Sequence, residues 1–118
     1  MKDHKGLDVW KKSMDFVENV YMVSREFPRE ELYGLVSQLR RSAVSIPSNI
    51  AEGAARHSDK EFLHFLHISL GSAAEAETQL LIAQRLKYSN DIRESLECLT
   101  AVKQMLSGMI RHYRNRER

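Results

Sequence analysis

The sequence predicts an all-α protein, an antiparallel up-down-up-down four-helix bundle whose second helix is kinked at Pro47. Three observations carry this. Four segments show apolar residues at spacings of three and four. The connections between them are short, which forces consecutive helices antiparallel. Turn chemistry is scarce, with two prolines and five glycines in 118 residues, which disfavours sandwiches and barrels.

The first segment carries Leu7, Trp10, Met14, Val17 and Tyr21, expected on one inward face. Phe27-Pro28 ends it, because the residue before a proline is pushed out of the helical region. The second runs from about Leu32 to Ala55, with Leu32, Leu35, Leu39, Ser42/Ala43, Ile46 and Ile50 as its stripe. The third opens on Ser58 as N-cap, and Glu61 three residues on completes a capping box. Its stripe is Phe62, Phe65, Leu66, Ala73, Ala76, Leu80 and Ala83. The fourth starts at Ser89 or Asn90 and carries Ile92, Leu96, Leu99, Val102, Leu106, Met109, Ile110 and Tyr113. Arg111, Arg114 and Arg116 suit its C-terminal dipole. Each helix spans roughly 27–42 Å at 1.5 Å per residue. One domain over residues 1–118 is the expectation.

Two residues break helix rules. Pro47 cannot donate to the carbonyl of Ala43 and crowds that turn, which predicts the kink. A full break into five shorter helices is the alternative. Gly71 costs about 1 kcal/mol against alanine inside a helix, so it is expected at a close helix–helix approach.

Composition excludes several classes. One cysteine, Cys98, permits no internal disulfide and no cysteine-built zinc site. The formal net charge of +2 excludes a uniformly cationic coat. Met1 to Lys12 holds no apolar run and no stretch approaches the ~20 apolar residues of a span, so a cytoplasmic protein without a membrane segment is expected.

No constellation argues for catalysis. Glu61-x-x-His64 has the spacing used in di-iron bundles, but a second copy and two further inward carboxylates are missing. His64 and His67 share a helix face, whereas His57 sits in a loop, so no metal is expected. Cys98 reads as a small buried hydrophobe rather than a nucleophile. No phosphate loop or nucleophilic triad is present, so neither enzyme activity nor a cofactor is expected.

Charge distribution is more informative than its sum. One end of an up-down bundle collects Lys2, Lys5, Lys11, Lys12, Arg56, Lys60, Arg111, Arg114, Arg116 and Arg118. Asp3, Asp8, Asp59, Glu61 and Glu117 oppose them. The other end sets Arg25, Arg29, Arg85, Lys87 and Arg93 against Glu26, Glu30, Glu31, Asp91 and Glu94. The first end is thus a candidate polyanion-binding face, and the second is neutral. Arg40-Arg41 lies mid-helix, level with residues 72–77, where Glu75 and Glu77 are expected salt-bridge partners within or between subunits. Phosphate contact is the competing reading.

The run Tyr33-Gly34-Leu35, then Gln38-Leu39-Arg40-Arg41-Ser42-Ala43-Val44-Ser45-Ile46-Pro47-Ser48-Asn49-Ile50-Ala51-Glu52-Gly53, is distinctive. With Leu7-Asp8-Val9-Trp10-Lys11 before it and Gly71-Ser72, Glu75 and Glu77-Thr78-Gln79-Leu80 after it, the chain resembles proteins encoded in intervening sequences of bacterial 23S ribosomal RNA genes. The accessory subunit of diversity-generating retroelements looks like a more distant relative. The resemblance implies a compact bundle that closes into a homopentameric ring, with RNA or DNA as partner and no catalytic residues. Ala74 and Ala76 stand where larger apolar residues are common in the family. The motif also has scaffold logic. Ser42, Ser45, Ser48 and Asn49 can take up the carbonyl freed by Pro47 or an adjacent one, and Glu52 can pair with Arg56.

Two functions from different classes remain. One is a ring that binds nucleic acid through Lys11, Lys12, Arg40, Arg41, Arg56, Lys60, Arg111, Arg114 and Arg116. The other is a scaffold for an unidentified protein partner. Apolar residues outside the stripes (Val9, Phe16, Val20, Val23, Phe65, Ile68 and Leu70) are expected, in part, at subunit contacts.

Overall fold

The computed structural model describes residues 3–116. Four helices, α1 (Asp8–Ser24), α2 (Leu35–Ala54), α3 (Asp59–Arg85) and α4 (Ile92–Arg116), form a bundle of 47 × 20 × 20 Å. Short 3-10 turns at His4–Gly6 and Arg29–Glu31 precede α1 and α2. Each helix packs on its two neighbours in the order α1–α2–α3–α4–α1, and α1 and α3 sit diagonally without contact. No strand occurs among the described residues.

The inward face of α1 is not the expected one. Val9, Ser13, Phe16, Val20 and Val23 are buried, whereas Met14 and Tyr21 are exposed. So Val9, Phe16, Val20 and Val23 belong to the core and are not available to a neighbour. The physical reason is Ser13. Its hydroxyl donates to the carbonyl of Trp10 at 2.8 Å, which satisfies it within its own helix. A small, satisfied serine then packs as an apolar residue would.

α2 begins at Leu35, three residues later than expected, because Leu32-Tyr33-Gly34 form the turn before it. Glu31 accepts from the Leu35 N–H at 3.2 Å and so starts the helix. α2 then runs unbroken through Pro47, which is buried. Five shorter helices do not form. The carbonyls around Pro47 find side-chain donors. Asn49 Nδ2 donates to Ser45 O at 2.8 Å, and Ser69 Oγ donates to Ile46 O at 2.9 Å.

α3 opens as expected, with Ser58 Oγ accepting from Glu61 N–H at 3.1 Å. Its other end is a Schellman motif. Tyr88 N–H donates to Ala83 O and Lys87 N–H to Gln84 O, with Lys87 at φ 60°. Most of the expected stripe of α3 and α4 is buried (Phe62, Leu66, Ala73, Ala76, Leu80, Ala83, Ile92, Leu99, Val102, Leu106, Ile110 and Tyr113), whereas Phe65, Leu96 and Met109 lie half-buried at its edge. On the α2 side Leu32 is exposed and Leu35 half-buried, with Val36 in the core instead.

The close approach falls at Gly53, not Gly71. A Cβ on Gly53 would lie 2.6 Å from Phe65 Cβ and 3.0 Å from Phe62 Cδ1. Gly71 faces outward, and a Cβ there would meet nothing within 4 Å. Hydroxyl-rich contacts line the α2–α3 seam: Ser42 Oγ to Gln79 Oε1 at 2.7 Å and Ser45 Oγ to Ser72 Oγ at 2.8 Å.

Candidate nucleic-acid interface

Antiparallel packing brings the start of α1, the end of α2, the start of α3 and the end of α4 to one end. Arg116 pairs with Asp59 across that end at 3.0 Å, and the rings of Phe62 and Tyr113 meet edge-on at 4.9 Å. Lys11, Lys60, Arg111 and Arg114 are exposed there and make no ion pair among the described residues. Arg56 is partly neutralised, paired with Glu52 at 2.9 Å as expected, and its guanidinium lies 5.0 Å from the Phe65 ring. Arg116 also lies over Tyr113. Lys2, Glu117 and Arg118, counted at this end from sequence, fall outside the described residues.

Lys12 does not join the basic end. It lies in a groove between α1 and α4 with Asp15, Asn19, Glu94, Glu97 and Cys98. The three carboxylates there oppose any phosphate. Burial pushes the Cys98 thiol above its ordinary range, with Lys12 partly countering it. A raised thiol pKa lowers the thiolate fraction and so disfavours Cys98 as a nucleophile. Asn19 accepts a short hydrogen bond from the Ser95 hydroxyl, which ties α1 to α4.

Arg40 does not reach Glu75 or Glu77. The level is right, since Ser42 meets Gln79 and Ser45 meets Ser72, but Arg40 turns toward α1. Its Nε donates to Ser24 Oγ at 2.9 Å, and its guanidinium covers the Tyr21 ring at 4.5 Å. Glu77 pairs instead with Lys103 of α4 at 3.0 Å. Glu75 and Arg41 are both exposed and make no ion pair. Arg41 lines an open groove of about 520 Å³ with Tyr21, Leu32, Tyr33, Val36, Ser37, Arg40 and Val44.

Other motif residues divide by role. Pro47, Asn49 and Gly53 build the α2–α3 seam. Gly34 sits tightly against Glu31, at 2.9 Å from the site of a Cβ to Oε1. Tyr33 is 93% exposed, on the rim of the groove that Arg41 lines. Glu31 also accepts from Tyr88 at 2.8 Å, a bond that raises the Tyr88 phenol above its ordinary range. Arg25 and Arg29 were placed at the neutral end by sequence, and only the fold shows that they share a groove with Arg40. Among the described residues no group of three or more His, Cys, Asp or Glu side chains is placed to hold a metal ion. No described helix is long and apolar enough to cross a membrane.

A crystal structure of a protein of unknown function from the S23 ribosomal protein family of Bacteroides thetaiotaomicron shares this fold at a TM-score of 0.80. It is 26% identical, and the match covers 86% of this chain and 97% of that one. No curated protein matches the chain. The family model for the 23S rRNA-intervening sequence protein matches residues 5–108. Matched over nearly all of its bundle, the chain belongs to the 23S rRNA-intervening sequence protein family.

Proposed function

We propose that the protein is a non-catalytic bundle that assembles into a closed ring, a homopentamer, and binds RNA or DNA through a basic surface. One observation carries the binding reading. Lys11, Lys60, Arg111 and Arg114 gather at one end of the bundle, exposed and without a carboxylate partner among the described residues. A cation already paired gains less from phosphate, so free ones supply most of the affinity. Such contacts fix position on the backbone and read little sequence.

Assembly draws support from exposed apolar side chains on opposite sides of the bundle. Met14 and Met22 lie on α1, and Ile68, Ile82 and Leu86 on α3 or just beyond its end. Two unlike apolar faces on diagonal helices suit a head-to-tail contact, which closes into a ring when the rotation permits. The number five comes from the family resemblance.

Fluorescence anisotropy with a structured RNA and a duplex DNA, at low and moderate salt, tests the binding. Affinity that falls steeply with salt supports it. No binding at low salt sinks it, as does affinity unchanged when Arg111, Arg114 and Arg116 all become Gln.

A further inference from the structure

The geometry points to a second nucleic-acid site, one for single strands, on the α1–α2 face at the other end of the bundle. It rests on the nucleic-acid reading above but places the single-stranded contact elsewhere. By sequence that end is electrically neutral. The fold separates its charges. Arg25, Arg29, Arg40 and Arg41 line two contiguous grooves that share Leu32, Val36 and Arg40, and no carboxylate lines either. Among the described residues none of the four arginines makes an ion pair. The nearby carboxylates are engaged elsewhere. Glu26 accepts from the Ser89 hydroxyl at 2.7 Å, and Glu31 from the Tyr88 hydroxyl and the Leu35 N–H. Glu18 and Glu30 line neither groove.

Aromatic rings accompany these cations. Tyr33 stands 93% exposed on the rim of the groove. It adds nothing to the core, yet its backbone is held by the turn that Glu31 fastens to α2. The Arg40 guanidinium lies 4.5 Å from the centre of the Tyr21 ring and is held there by bonds from Nε to Ser24 Oγ and from Nη2 to Tyr21 O, which leaves its remaining N–H groups for a ligand. Planar forks match phosphate oxygens in pairs. An exposed ring stacks on an unpaired base. A duplex keeps its bases inside, so Tyr33 gains nothing from it. An acidic peptide would use the arginines but leave the ring idle. The ligand that uses both is single-stranded RNA or DNA.

The test uses the full chain and two fluorescein-labelled probes, a 20-nucleotide oligouridylate and a 20-base-pair duplex, with anisotropy read from 50 to 200 mM salt. Tyr33→Ala should weaken single-strand binding about tenfold, the loss of one stacked base, and leave duplex binding within about twofold. Arg29→Gln with Arg41→Gln should weaken it further and lower the single-strand salt slope by about 1–1.5. All three positions are exposed or on a turn, so folding is checked by circular dichroism rather than presumed. If neither probe binds at low salt, this site and the broader nucleic-acid reading both fall. If both probes bind and respond only to the Arg111, Arg114 and Arg116 substitutions, the broader reading stands and this site is overturned. It is also overturned if Tyr33→Ala shifts the sedimentation of the protein alone while single-strand affinity is unchanged, for then a second copy covers the face.

Discussion

Adding one methyl group at Gly53 should destabilise the bundle, although the same change usually stabilises a helix. Alanine inside a helix is worth about 1 kcal/mol over glycine. At Gly53 the new Cβ would lie 2.6 Å from Phe65 Cβ, 3.0 Å from Phe62 Cδ1 and 3.4 Å from Phe62 O. Neither Phe65 Cβ nor a backbone carbonyl is the loose end of a flexible side chain. α2 and α3 must therefore move apart, and such overpacking costs about 1–3 kcal/mol, occasionally more. Phe62 is also wedged edge-on against Tyr113, so the displacement spreads to α4. At 2.6 Å, closer than Cβ contacts come, the overpacking belongs at the upper end, about 2–3 kcal/mol. Against the gain of about 1 kcal/mol, the expected net loss is about 1–2 kcal/mol, or roughly 3–10 °C in Tm for a domain of this size. Gly71→Ala is the control, with open space around its Cβ and an expected gain of about 0.5–1 kcal/mol. Thermal melts followed by circular dichroism, at one protein concentration because assembly makes Tm concentration-dependent, measure both. A Gly53→Ala protein as stable as its parent refutes the packing argument.

Three further outcomes follow from particular contacts. Ser42→Ala leaves the buried Gln79 amide without its 2.7 Å partner and should cost about 1–3 kcal/mol in urea denaturation. Adding Gln79→Leu should recover much of it, and a purely additive double variant would contradict the pairing. Lys87→Gly should stabilise by about 0.5–1 kcal/mol, because Lys87 occupies a left-handed position at φ 60° that glycine adopts without strain. A loss of stability there would refute the strain. Cys98 should alkylate more slowly than free cysteine at pH 8.5, with a rate that rises to a midpoint above its ordinary pKa of 9.0. The raised pKa keeps it protonated below that pH. A midpoint at or below 9.0 would contradict the burial argument.

Helix order, antiparallel packing and most of the inward stripes of α2, α3 and α4 are readable from spacing and connection length, with Leu32 exposed and Leu35, Phe65, Leu96 and Met109 at the edge of the stripes rather than within them. The face of α1 was not. Leu7, Trp10, Met14, Val17 and Tyr21 form an unbroken apolar series, while the true stripe is interrupted by Ser13. Hydropathy counts a serine as polar, but Ser13 is satisfied by its own helix and buried at no cost in lost partners. Spacing flags a helical glycine without saying how the helix is rotated, which is why Gly71 looked like the contact and Gly53 is. Arg40 shows the same limit. Its height along the bundle was legible, its direction was not, because Ser24 and Tyr21 offer it a nearer partner on α1 than Glu77 on α3. For the candidate sites, adding charges by bundle end caught the basic end but averaged away the α1–α2 face. Arginines and carboxylates share that end and point to different sides.

Sedimentation velocity with a fluorescently labelled RNA tests most directly whether the bundle acts as an assembled nucleic-acid binder. At micromolar protein and low salt, the protein alone should sediment as a species several times its 13.7 kDa chain mass. The labelled RNA should travel with that species, and be released as salt is raised. Protein that stays at 13.7 kDa, beside RNA that sediments free at low salt, would contradict the account.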